Sequence, residues 1–153
     1  MNEHAIVSEY VTAMVGGQLF GMPIARVQDV FMPDRVTRVP LSPPEIAGVL
    51  NLRGRIVTLI DLRSCLGIPP RDKDARAPMA IGVESRGESY GLLIDAVGEV
   101  LKLQDSARES NPINLEPRLA RVSSCIFRLE GQLLVVLDLD RVLDIAAAAR
   151  AAA

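Results

Sequence analysis

The sequence predicts an all-β protein made of two small barrels or curled sheets that share one interface. Three observations carry this prediction: an internal repeat, paired apolar runs joined by glycine turns, and a shortage of helical periodicity. The segment Phe20-Gly21-Met22-Pro23-Ile24-Ala25-Arg26-Val27-Gln28-Asp29-Val30 aligns with Tyr90-Gly91-Leu92-Leu93-Ile94-Asp95-Ala96-Val97-Gly98-Glu99-Val100, an offset of 70 residues. A second block, Gly54 to Leu62, aligns with Gly131 to Leu139 at an offset of 77. Two blocks in the same order at nearly the same offset indicate a duplication. The unit is too long, and occurs too few times, for a solenoid, so it reads as two similar half-domains.

Each half begins as a hairpin. Val11, Ala13 and Val15 alternate with smaller or polar residues, Gly16-Gly17 turns the chain, and Leu19 to Ile24 resumes as a strand. Ile81 and Val83 repeat the alternation, Arg86-Gly87-Glu88 turns, and Ser89 to Ile94 resumes. Pro23, with no N–H to give a ladder, places its strand at an edge or a strand start. Ser42-Pro43-Pro44-Glu45 before Ile46, Val49 and Leu50 predicts a short helical turn, with Ser42 as cap. Gly54 and Gly131 are turn glycines between apolar runs. The runs Ile56 to Ile60 and Leu133 to Leu137 are short and almost wholly apolar, which suits strands buried on both faces. Leu62 to Leu66 predicts a short turn of helix ended by Gly67. Pro69 to Pro78 is a mixed-charge loop between the halves, and Asp105 to Leu119 is a second irregular stretch. The alanine-rich tail from Ala146 extends a terminal helix from Val142.

Composition excludes several functions. A chain of 153 residues buries enough surface to fold without a metal or disulfide. Seventeen Lys+Arg against nineteen Asp+Glu leaves a net charge of −2, and the aromatic residues are two Tyr and three Phe. Neither the basic excess nor the stacking platforms of a nucleic-acid binder are present. The single histidine, His4, stands in the first few residues, where a chain end usually frays, so no internal imidazole is available as a base. Cys65 and Cys125 lie sixty residues apart without metal-ligand spacing and read as buried free thiols. No leader-like or membrane-spanning apolar run is evident, so the sequence predicts a soluble cytoplasmic protein.

Catalytic candidates fail in turn. There is no phosphate-binding glycine loop and no nucleophile elbow. Asp61 and Asp138 occupy equivalent repeat positions, but neither is followed by the glycine an aspartic-protease loop needs, so each is expected to cap the turn after its strand. Cys65 has no basic partner to lower its pKa. What remains is surface, and Asn51-Leu52-Arg53-Gly54 is the most polar interruption of the apolar stretch from Ile46 to Ile60. A guanidinium on such a turn can fork onto a partner's carboxylates.

At this point the residues resemble a known family. Val36-Thr37-Arg38-Val39-Pro40, then Pro43-Pro44-Glu45-Ile46-Ala47-Gly48-Val49-Leu50-Asn51-Leu52-Arg53-Gly54-Arg55-Ile56-Val57-Thr58-Leu59-Ile60-Asp61-Leu62-Arg63, resembles the signature of CheW, the coupling protein of bacterial chemotaxis. Phe20-Gly21 with Val27-Gln28-Asp29-Val30, the segment from Gly91 to Leu101, and Gly131 with Leu137-Asp138-Leu139 fit the same pattern, so the resemblance covers residues 10–145. It implies two side-by-side five-stranded β-barrels in one domain, with related segments at about 11–66 and 79–143. Residues 1–9 are then a flexible N-terminus and 146–153 a tail. It implies no enzymatic activity and no cofactor or metal. The implied partners are a CheA-type histidine kinase and the cytoplasmic tips of methyl-accepting chemoreceptors, with no nucleic acid and no direct membrane insertion. Carried over by position, receptor binding falls to Val27, Asn51, Arg53, Gly91 and Val97, and kinase binding to Asp29, Gly48 and Val100. An adaptor of a pilus-motility or developmental pathway has the same signature. Two departures stand out: Thr58 replaces the family's usual proline, and Ser123-Ser124-Cys125 replaces Ile-x-Gly, so Gly48 has no glycine counterpart at Cys125.

Overall fold

The computed structural model describes residues 6–72 and 74–152, so His4 lies outside the described residues. Among the described residues, ten strands and three α-helices follow in order: β1 Val7–Val15, β2 Gln18–Pro23, β3 Val27–Phe31, β4 Ile46–Leu52, β5 Arg55–Asp61, α1 Leu62–Leu66, β6 Met79–Ser85, β7 Glu88–Ile94, β8 Ala96–Gln104, α2 Pro117–Val122, β9 Ser123–Leu129, β10 Gln132–Leu137 and α3 Leu139–Ala152. The strands form two five-stranded sheets, ordered β8-β1-β2-β10-β9 and β3-β6-β7-β5-β4.

Neither sheet is built from one repeat. The β1–β2 hairpin of the first repeat sits between β8 and β10 of the second, and the β6–β7 hairpin of the second sits between β3 and β5 of the first. The duplication extends to the ladders. Val57 pairs with Ser89 and Leu59 with Gly91 in the parallel β5–β7 ladder. Their repeat equivalents, Leu134 with Leu19 and Val136 with Gly21, pair in the parallel β10–β2 ladder. The bulge between Ile46 and Gly48 in β4 recurs where β9 meets β10, which puts Cys125 at the position of Gly48.

The sheets curl without closing through a continuous ladder. Each edge is joined by a single bridge: Thr37 exchanges two 2.8 Å backbone hydrogen bonds with Val49 of β4, and Glu109 exchanges two of 2.9 Å with Ile126 of β9. Barrel closure is therefore partial.

Three apolar clusters fill the fold. Inside the first sheet lie Tyr10, Leu19, Phe127, Leu134 and Val136, with the Tyr10 and Phe127 rings 5.4 Å apart. Inside the second lie Leu50, Val57, Leu59 and Ala80. Between the sheets, a larger core takes Phe20, Met22, Ile60, Ile81, Leu92, Val135, Leu137 and the inner face of α3. Strand β10 thus sends alternate residues to the barrel interior and to the seam, which accounts for its unbroken apolar run. In β5 the run is broken at Ile56, which stands 64% exposed near the hairpin tip.

Other expectations need correction. Ile46–Leu52 is a strand, not a helical turn: Ile46, Gly48 and Leu50 are buried on alternate positions, and the prolines before them form a turn. Pro23 ends an internal strand rather than an edge strand; β10 pairs only with Leu19 to Gly21, so its missing N–H falls beyond that ladder. The irregular stretch after β8 contains α2, begun by Pro117 at its first position. Strand β1 already starts at Val7, inside the segment expected to be flexible. Helix α1 ends at Gly67 in the left-handed region, as its sequence predicts. Asp61 accepts from the Arg63 N–H, and Asp138 from the Arg141 N–H, so both carboxylates cap helices. Burial, reinforced by the nearby Glu45 and Asp61 carboxylates, pushes the Cys65 thiol up to about 12, which leaves it protonated and inert.

Candidate docking surface

The β4–β5 hairpin turns through two residues, Arg53 (φ 54°) and Gly54 (φ 86°), both in the left-handed region. This backbone matches the twist of the flanking strands. Asn51 fixes it, its Oδ1 accepting from the Gly54 N–H at 2.8 Å. The turn holds the Arg53 side chain 81% exposed, with Nη1 3.9 Å from Asp29 Oδ2. Asp29 comes from β3, at the opposite edge of the same sheet; the curl brings both edges to one mouth. Beside them, Phe31, Leu52 and Tyr90 line a hollow of about 50 Å³. That holds a water or two, not a small-molecule substrate.

Gly82 makes the arrangement possible, because a Cβ there would collide with the Asp29 carboxylate. Gly91 acts similarly inside the barrel. A Cβ on it would lie 2.9 Å from Leu59 Cδ2 and 3.1 Å from Phe31 Cζ, so Gly91 is buried packing rather than surface. Gly48 is also buried. With φ 149°, a Cβ there would lie 2.5 Å from the Thr37 carbonyl oxygen, the atom that bridges to Val49. Gly48→Ala is therefore expected to destabilise the protein by about 2 kcal/mol through this bridge, a loss readable by thermal melting without any partner present. At the equivalent position in β9, Cys125 follows a strand start that is fastened to the preceding segment by side chains. The Ser123 hydroxyl donates to Asn111 Oδ1 at 2.6 Å, and Asn111 Nδ2 donates back to the Ser123 carbonyl at 3.0 Å.

The remaining predicted residues lie on the edge strands. Val27 begins β3 half-buried against the central core. Its repeat equivalent Val97 stands on β8, and Val97 and Val100 pair with Ala13 and Val11 across a bulge, so both face one side. They are 38% and 47% exposed. Asn51, Arg53 and Asp29 therefore gather at the mouth of the second sheet, while Val97 and Val100 belong to the edge of the first. Val30, the repeat equivalent of Val100, is likewise exposed, at 40%, on the edge strand β3.

A different cluster ties the repeats together. Asp95, just after β7, accepts from Arg63 Nε at 2.9 Å and Nη2 at 2.7 Å, from Arg71 Nη2 at 2.6 Å and from the Gly16 N–H at 2.8 Å. The Arg63 guanidinium first, with Gly16 and Arg71, holds this carboxyl well below the usual carboxylate range, against the opposing effect of burial. Among the described residues no buried side-chain nitrogen or oxygen lacks a partner, so the cluster reads as structure. Among the described residues, no three His, Cys, Asp or Glu side chains gather as a metal site, and no helix is long and apolar enough to cross a membrane.

Comparisons with known proteins agree with this architecture. A family model described as the CheW-like domain matches residues 9–147. The probable chemotaxis protein CheW of Rhizobium etli is 30% identical over 135 residues, covering 86% of this chain and 84% of the relative. Chemotaxis protein CheW of Bacillus subtilis is 29% identical over 134 residues, covering 88% and 85%. The crystal structure of the scaffolding protein TtCheW from Thermoanaerobacter tengcongensis superposes with a TM-score of 0.78 at 28% identity, covering 87% of this chain and 90% of that one. With the matched domain running through both curled sheets, the chain belongs to the CheW family of chemotaxis scaffold proteins.

Proposed function

We propose that this protein is a cytoplasmic, non-catalytic adaptor that couples methyl-accepting chemoreceptors to a CheA-type histidine kinase in chemotaxis arrays. Receptor tips engage the mouth bearing Asn51 and Arg53 and the edge strands bearing Val27 and Val97, with Gly91 packed inside the second barrel. The kinase engages the edges bearing Asp29 and Val100, near the bulge at Gly48. Activity is then governed by where the kinase is held relative to receptors, and the adaptor itself makes and breaks no bonds.

The observation that carries the reading is the Arg53 turn. The two-residue hairpin turn presents this cation 81% exposed, beside Asp29 at 3.9 Å and at the mouth where both edges of the second sheet meet. An exposed charge of this kind contributes little to stability, so it is free to serve recognition. Arg53→Asp is expected to lower capture of a receptor cytoplasmic fragment at least tenfold, equivalent to about 1.4 kcal/mol, with an unchanged melting temperature. Undiminished capture by the folded variant would remove the reading.

A further inference from the structure

We propose that two ion pairs of opposite polarity make the two repeats of this chain pair with each other and reject the same repeat of a second copy. The ladders do not make this choice. Each repeat lends its first hairpin to the other, and the registers coincide under the repeat offsets, as Val57 with Ser89 and Leu134 with Leu19 show. A backbone slot of either kind therefore accepts a hairpin of either kind. Two chains carrying such slots have a like-with-like arrangement open to them.

Charge at the slot ends breaks the equivalence. In the first repeat the slot carries Arg63, the second residue of α1; the equivalent residue in α3 of the second repeat is Asp140. The hairpins that arrive are also opposite. The second repeat's hairpin ends in Asp95, 2.7 Å from Arg63 Nη2, with Arg71 at 2.6 Å on the same carboxylate. The first repeat's hairpin, which ends at Pro23, runs into a short 3-10 turn, Ile24–Arg26, and Arg26 Nη2 lies 3.3 Å from Asp140 Oδ1. Within one chain, cation meets acid at both places. If two first repeats paired, Arg63 would face Arg26 of the other copy. If two second repeats paired, Asp140 would face Asp95. Every like pairing thus loses an ion pair and sets equal charges together, which is selection by repulsion.

The test keeps the whole chain. Arg26→Asp combined with Asp140→Arg preserves an ion pair within the chain but gives both slots the same polarity, so like pairing becomes attractive. Wild type and variant are unfolded, refolded at high protein concentration, and sized by light scattering in about 0.01 M and about 1 M salt, where the screening length falls from about 30 Å to about 3 Å. The variant is expected to give at least a tenfold larger dimer fraction than wild type at low salt. That excess should shrink at high salt, with an unchanged melting temperature for its monomer. Ordinary exchange of unlike repeats keeps both ion pairs in both proteins, so only the difference between them reports like pairing. Equal dimer fractions at both salt concentrations would overturn the proposal. Should the first variant not fold, Arg26→Glu with Asp140→Lys makes the same reversal with longer side chains and is judged by the same outcomes.

Discussion

Val135→Asp is expected to abolish the cooperative melting transition of the full chain. Val135 is fully buried in the central core, on a strand flanked on both sides by β2 and β9. Its core neighbours are apolar, so a carboxylate there finds neither water nor a cation. An unpaired buried charge costs more than about 5 kcal/mol, comparable to the whole net stability of an ordinary domain. Val135→Ala, which only removes volume, is expected to lower stability by about 2 kcal/mol and to keep a sharp transition. Circular dichroism melts of the two variants check both expectations. A cooperative transition in the Asp variant would show that position 135 is open to solvent.

Asp95→Asn is expected to cost about 3 kcal/mol at neutral pH, because it leaves Arg63 and Arg71 facing an uncharged amide in a partly buried place. The pH dependence has a definite sign. The folded-state pKa of Asp95 is depressed, so the group's stabilisation is fully present above the unfolded carboxylate value, roughly 4. It is lost progressively as pH falls below that value toward the folded one. Wild type should therefore lose stability on acidification more steeply than the Asn variant. The gap between them, wide at pH near 7, should narrow below about pH 4. Melting temperatures across that range measure it, and a constant gap would mean that Asp95 acts by shape rather than charge.

The hairpins were legible because a period of two, interrupted by Gly16-Gly17 or Arg86-Gly87, has no other simple meaning. The exchange of hairpins between repeats was not. Both repeats carry the same apolar pattern, and a pattern shared by two slots does not say which strand fills which. Strand β4 was misread because Gly48, one of its inward positions, contributes no hydrophobic signal. Without it, Ile46, Val49 and Leu50 mimic helical spacing. The docking surface divides in a similar way. Arg53 was visible as a polar turn in an apolar stretch, and Asp29 came only through family resemblance. Gly48 and Gly91 carry no side chain, so their positions gave no sign that one supports an edge bridge and the other makes room for Phe31 and Leu59.

The exchange also governs the order in which the molecule comes into being during synthesis. The second sheet lacks its middle until β6 and β7 have left the ribosome, and the first lacks β8, β9 and β10 until nearly the entire chain is out. Nascent β1 and β2 must wait as an unclaimed hairpin for neighbours about a hundred residues downstream, Val7 for Gln104 among them. Cutting the linker between the repeats afterwards would not release two separate barrels, since each fragment would still hold two strands inside the other's sheet.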